Sequence, residues 1–274
     1  MPTGAASITK RFQIEPRMDP SDSDIRDVMS EEAQETPHDE TVVAAFDEAQ
    51  RQTIAMTRKI LADLRPGQTQ ADIVALAQAA APTFGFSGWF QPPHVRFGAP
   101  RNPPRRLEKS VLEPGMLVEI DLAPHTDQAF GDFGYAFAFQ TDEEPKILTQ
   151  ARELCRAACG FSNRFKCTGE VYVFSQAWAV NRSLSLGKAK SVGHRCFAPQ
   201  GRMALQWPML ARAAILMRRN QVEWFNHRRM SGLYALQPRL VSDTQGLAFE
   251  EMVLVLDHGQ RVMGRESLDE VGTL

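Results

Sequence analysis

Hydrophobic and polar residues change their spacing several times along the chain, and each change marks an element. From Asp39 to Leu64, the residues Val42, Val43, Phe46, Ile54, Met56, Ile60, Leu61 and Leu64 recur at intervals of three and four, which predicts a long helix ended by the turn-forming RPGQT. Thr69 stands where it caps a second helix, with Asp72 as capping-box partner and Ile73, Leu76, Ala77 and Ala80 as the apolar stripe. The stretch WFQPPHVRFGAPRNPP, Trp89 to Pro104, carries too much proline to be regular throughout and predicts only a short strand around Val95 and Phe97.

Beyond the Pro114–Gly115 turn the period drops to two. MLVEIDLA sets Leu117, Glu119 and Asp121 on one face against Met116, Val118, Ile120 and Leu122. In DFGYAFAF the same rule groups Asp132, Gly134, Ala136 and Ala138 against Phe133, Tyr135, Phe137 and Phe139, so the aspartate lies on the small-residue face. Two helices are predicted next, at about Pro145 to Phe165 and Gly169 to Leu186. GLYALQPRLV and FEEMVLVLDHG then return to strands, each with one polar residue, Gln237 or Glu250, where a core strand would ordinarily have none. The order of helices, strand pair, helices, strands gives an α+β fold and hints at two similar halves.

Composition narrows the function classes. The 274 residues are 43% hydrophobic and 23% charged, enough for a full core. A net charge of -2 gives no bulk electrostatic reason to bind nucleic acid or an anionic membrane. With no apolar run of membrane-spanning length and no apolar leader in MPTGAASITKRFQIEP, a cytoplasmic protein is the expectation. Residues 1–40 are acidic, rich in Pro, Ser and Asp, and read as an extended or flexible arm suited to a partner subunit; the folded domain is expected over 41–266, with 267–274 as a tail. Cys155, Cys159, Cys167 and Cys196 make no disulfide framework, and the helical spacing of Cys155 and Cys159 reads as packing.

The chemistry concentrates where carboxylates and an imidazole stand beside glycines or at strand ends: Asp121 in EIDL, Asp132 in GDFG, His194 in VGHRC and Glu250 in AFEEMVLV. Divalent ions that prefer oxygen are held by such groups when separate strands bring them together. Each alone is more often a surface or capping group. The basic, aromatic RRNQVEWFNHRRM, Arg218 to Met230, reads as a solvated surface or subunit contact rather than a nucleic-acid site. His125 reads as a turn residue and His258 as part of a hairpin.

Together these stretches resemble a known family. LEPGMLVEIDLAPHTDQAFGDFGYAFAF, TGEVYVFSQAWAVNRSLSLGKAKSVGHRCF, GLYALQPRLV and GLAFEEMVLVLDHG are similar, in order, to the motifs of the methionine aminopeptidase, Xaa-Pro peptidase and creatinase superfamily, peptidase family M24. HVRFG is closest to the short Xaa-Pro-peptidase-like members. The resemblance implies the pita-bread fold, two pseudo-symmetric halves around a curved antiparallel sheet, and a divalent metal centre of Mn, Fe or Co. It implies the ligands Asp121, Asp132, His194 and Glu250, with Gln237 where the family has a fourth carboxylate. An amide offers a carbonyl oxygen without charge, so one ion is expected rather than two; the missing charge is worth on the order of a few kcal/mol at an effective dielectric near 20. Gln200 stands where peptidase members have a substrate-side histidine, and His94, before VRFG, is the other candidate group facing substrate. The function implied is hydrolysis of a small amide, dipeptide or amino-acid derivative by a metal-bound water, by an enzyme other than a standard aminopeptidase. Its partners would be a small-molecule or short-peptide substrate and a second copy in a homodimer. The alternatives are non-hydrolytic, lyase-like chemistry on a small molecule, and a pseudoenzyme that binds a peptide or protein.

Overall fold

A computed structural model describes residues 39–101, 110–188, 190–197 and 218–274. Gln200 and the N-terminal arm up to residue 38 lie outside them.

Helix α1, Glu40–Asp63, begins at Asp39, whose side chain accepts from the Thr41 amide. Helix α2, Gln70–Ala80, starts with the expected capping box: the Thr69 hydroxyl accepts from the Asp72 amide while the Asp72 carboxylate accepts from the Thr69 amide. A single 3-10 turn, Ala81–Phe84, follows and ends at Gly85, whose left-handed backbone (φ 81°) lets the chain reverse.

Three antiparallel strands come next, in spatial order β1-β2-β3: β1 Gly88–Phe97, β2 Leu117–His125 and β3 Phe133–Ala138. The short strand expected around Val95 and Phe97 is in fact ten residues long. It runs through Pro92 and Pro93 because β1 is an edge strand, and its register against β2 shifts between Trp89 and Gln91 and again between Gln91 and His94. The aromatic face of β3 forms as the alternation requires, with the Phe133, Tyr135 and Phe137 rings stacked in a row.

Helices α3, Lys146–Phe161, and α4, Thr168–Val180, open the second half. Both end earlier than their apolar patterns suggest. Asn163 accepts from the Phe165 amide in a local turn after α3, and Ser183 takes a left-handed conformation (φ 59°) after α4. A second antiparallel sheet, in order β4-β5-β8-β9, contains β4 Gly193–Arg195, β5 Gly232–Leu236, β8 Glu251–Leu256 and β9 Gly259–Val262; β6 Leu240–Val241 and β7 Gly246–Leu247 form a small ribbon beside it. His258 sits in the two-residue β8–β9 turn, in the hairpin setting its sequence suggests.

Strands β5 and β8 are largely apolar on both faces. Along β5, Leu233 and Ala235 join one buried cluster and Tyr234 and Leu236 another; along β8, Met252 and Leu254 separate from Val253 and Val255 in the same way. The first cluster holds the apolar faces of α1 and α2, and the second holds those of α3 and α4. The chain's end is anchored as well: Val271 is buried, and the Gly272 amide donates to Glu251.

Among the described residues, backbone hydrogen bonds join the two sheets at one place. Gly134 of β3 and Glu250, just before β8, exchange backbone hydrogen bonds of 3.1 and 2.9 Å. A Cβ on Gly134 would lie 2.8 Å from that of Glu250, so glycine is what permits the approach.

Candidate metal centre

The polar candidates gather at this junction. Asp121 points from the middle of β2, where it pairs with Gly134 on one side and His94 on the other. Asp132 lies at the entry to β3 and is fully buried. His194 comes from β4, Gln237 from the residue after β5, and Glu250 from the sheet junction.

Asp132, His194 and Glu250 converge: each offers a ligand atom, and these atoms lie within 4.8 Å of one another. His194 Nε2 is 3.2 Å from Asp132 Oδ2. Neither Asp132 carboxylate oxygen nor His194 Nε2 has a well-formed hydrogen bond, although all three are buried. Buried polar atoms left in this state cost stability unless something else satisfies them, and a cation among two carboxylates and an imidazole does so. Burial and the neighbouring carboxylates push the Glu250 carboxyl well above its ordinary range; burial also raises that of Asp132, with His194 opposing it. Carboxylates under this pressure either keep a proton or accept a positive partner. The donor set therefore fits a divalent ion.

Asp121 and Gln237 stand beside this triad in a different relationship. The Gln237 amide nitrogen donates to Asp121 Oδ2 at 3.1 Å and to Glu250 Oε2 at 2.9 Å. Ionised carboxylates only accept, so an amide between two of them turns its NH2 toward both. Gln237 thus meets the two oxygens with donors, as a cation would, instead of adding an oxygen of its own. His94 is half-exposed at the rim, its Nδ1 3.9 Å from Asp121 Oδ2.

The supporting layer contains residues that the sequence reading passed over. Gln50 of α1, fully buried, clamps the backbone of Asp132 with both ends of its amide: the Asp132 amide donates to Gln50 Oε1 at 2.8 Å, and Gln50 Nε2 donates to the Asp132 carbonyl at 3.0 Å. Its signal was a glutamine midway between Phe46 and Ile54 on one helical face, where an apolar residue would be ordinary. Gly131 lets the loop approach the helix, since a Cβ there would lie 2.0 Å from Thr53 Oγ1. Glu119, two residues before Asp121, is buried between Arg96 and Arg239, and Arg239 Nη1 lies 2.8 Å from its Oε2. Cys196 Sγ is 4.0 Å from His194 Nδ1, and burial pushes its thiol well up, so it remains protonated.

Comparison with known proteins agrees with this arrangement. Metallopeptidase family M24 matches residues 44–257. No curated protein matches the sequence. Among solved structures, the X-Pro aminopeptidase of Thermotoga maritima superposes with a TM-score of 0.70 at 14% identity, covering 86% of this chain and 65% of its own. The prolidase of Pyrococcus furiosus gives 0.69 at 13% identity, with 92% and 75% covered. The methionine aminopeptidase of Thermotoga maritima gives 0.65 at 14%, with 84% and 99% covered. The chain spans 65% of the length of that X-Pro aminopeptidase and 60% of that of the dipeptidase PepE of Mycobacterium ulcerans. The pita-bread fold is shared with these proteins, and the chain belongs to metallopeptidase family M24.

Proposed function

We propose that this chain is a metal-dependent hydrolase of a small amide, dipeptide or amino-acid derivative that works with a single divalent ion. The observation that carries the reading is the pairing of two states in one site: the oxygens of Asp132 and Nε2 of His194 buried without well-formed hydrogen bonds, and Asp121 and Glu250 already bridged by the Gln237 amide. A cation would satisfy the first. The second places donors on the oxygens that another cation would need.

Asp132, His194 and Glu250 would hold the ion, which supplies a Lewis acid and lowers the pKa of a water. Around it the chain's own groups divide the remaining work. Asp121, kept near Glu250 by Gln237, presents a carboxylate at the edge of the cleft that can accept a proton. His94, exposed and opposite Asp121, would meet a substrate from solvent and hand a proton to its leaving group. The X-Pro aminopeptidase, prolidase and dipeptidase among the structural neighbours support an amide bond as the target.

Elemental analysis of protein purified without chelator tests the reading. About one divalent ion per chain is expected, with Asp132→Asn emptying the site and Gln237→Glu raising the content towards two. No bound metal after supply of Mn²⁺ or Fe²⁺ would sink it. Turnover of Xaa-Pro dipeptides and small amides by the loaded protein then separates hydrolysis from other chemistry.

A further inference from the structure

Helix α4 is built inside out for a surface helix. Its buried face carries Val171, Ser175 and Ala179, with the Ser175 hydroxyl turned back onto the Val171 carbonyl. Its outer face presents Val173 and Val180, 54% and 59% exposed. Of the five exposed large hydrophobic residues among those described, four lie on α4 or the two segments flanking it: Phe165, Val173, Val180 and Trp224. The Trp224 segment is fixed against the helix by the Gly169 amide, which donates to the Asn226 carbonyl at 2.7 Å. Between them runs a groove of about 410 Å³ lined chiefly by Phe161, Val173, Phe174, Ala177 and Trp224. A contiguous apolar groove of this kind is an interaction surface.

Its rim is positive. The segments Arg164–Glu170 and Arg218–Met230 hold six Arg and Lys against two Glu, and Lys166 Nζ lies 4.7 Å above the Phe161 ring at the groove wall. The chain carries the complement itself. Between Asp19 and Glu35 there are seven Asp and Glu against one Arg, and within that run Ile25, Val28 and Met29 are spaced i, i+3, i+4. On a helix those three share one face, the spacing by which apolar anchors enter a groove. Met29 lies ten residues before Asp39, an extended reach of about 35 Å, and α1 lies on the groove's side of the molecule: its Asp47 is 3.7 Å from Arg261, next to Gln260, whose side chain donates to the Gly160 carbonyl beside the groove-lining Phe161. Tethering by itself raises the local concentration to about the millimolar range, at which even a weak contact fills.

We propose that the acidic segment Asp19–Glu35 docks in the α4 groove of its own chain, with Ile25, Val28 and Met29 as apolar anchors and its carboxylates against Lys166, Arg228 and Arg229. The site is separate from the metal centre, and the proposal stands whether or not the chain is a hydrolase. It is tested on the full chain with a carbodiimide that joins amines to carboxylates in contact. In the monomer fraction, cross-links from Lys166 to residues 19–35 are expected. Ile25→Asp with Val28→Asp should reduce their yield at least fivefold and speed alkylation of Cys167, at the groove edge, several-fold, while the thermal midpoint stays unchanged. Absence of those cross-links together with an unchanged Cys167 rate overturns the proposal. So does cross-linking confined to dimers and lost on dilution, which would assign the groove to a second copy.

Discussion

Gln50→Leu removes both hydrogen bonds that hold the Asp132 backbone while keeping side-chain volume close to the original. Gln50 and Asp132 are 82 residues apart, and the Gln50 side chain is fully buried, so no local chain geometry replaces the clamp. Stranding a buried donor or acceptor costs about 1–3 kcal/mol each. Two are stranded, the Asp132 amide and carbonyl, partly offset by the apolar contacts leucine gains, which leaves a net loss on the order of 3 kcal/mol. For a domain of this size each kcal/mol lowers the melting temperature by about 2–4 °C, so a fall of about 6–12 °C is expected. The same change releases the carboxylate that Asp132 offers to an ion. Loss of such outer support commonly weakens metal affinity about 10- to 100-fold. The assay is calorimetry of the metal-free protein, then a competitive titration of Mn²⁺ against a chelator. Gln52→Leu, two residues along the same helix on its outer side, is the control and should move neither reading by more than a small amount. If Gln50→Leu melted within 2 °C of the parent and bound Mn²⁺ equally well, the clamp would be no part of what positions Asp132.

Gly134→Ala places a Cβ 2.8 Å from that of Glu250 and 3.1 Å from its amide nitrogen; it should destabilise by about 1–3 kcal/mol and empty the metal site, read by denaturation and elemental analysis. Arg265 and Glu251 form a buried ion pair at 2.8 Å, so Arg265→Met should cost about 3–5 kcal/mol and the double variant with Glu251→Leu should recover most of it in a denaturant titration. The hydrogen bond with Cys159, and then burial, push the Cys155 thiol well up and burial raises that of Cys196 likewise, so in the native protein at pH 8 an alkylating reagent should modify the partly exposed Cys167 first; peptide mapping showing Cys155 or Cys196 ahead of it would contradict the burial described.

The parts of the fold legible in the sequence are those whose signals are local. Helices α1 and α2 could be read almost to the residue because Asp39, Thr69 and Asp72 satisfy the first amides with their own side chains. Strand β1 was obscured because Pro92 and Pro93 argue against a strand unless it lies at an edge, and edge position is a tertiary fact. The ends of α3 and α4 were misplaced because Asn163 and Ser183 stop helices that the apolar pattern alone would continue. In the site, Asp121, Asp132, His194, Gln237 and Glu250 all reach the sheet junction, but the sequence does not say which way the Gln237 amide faces. Gln237 resembles a weakened ligand in one dimension; in three its nitrogen faces two carboxylates. Gln50 was invisible as a site residue because its partner is a main chain 82 residues away.

The meeting of the two sheets at Gly134 and Glu250 also marks where this protein can be divided. The first half carries Asp121 and Asp132, and the second carries His194, Gln237 and Glu250; the exposed stretch from Gln140 to Glu144 is the connection between them. A chain cut in that stretch gives two pieces, neither of which owns a centre: one has acids with nothing to face, the other an imidazole without its aspartate. Gln237 and Asp121 touch across 116 residues of sequence, so their contact forms only when the pieces reunite. Bound metal in a cut protein would therefore be a direct report of reassembly, and a metal held there would act as the clasp between the halves.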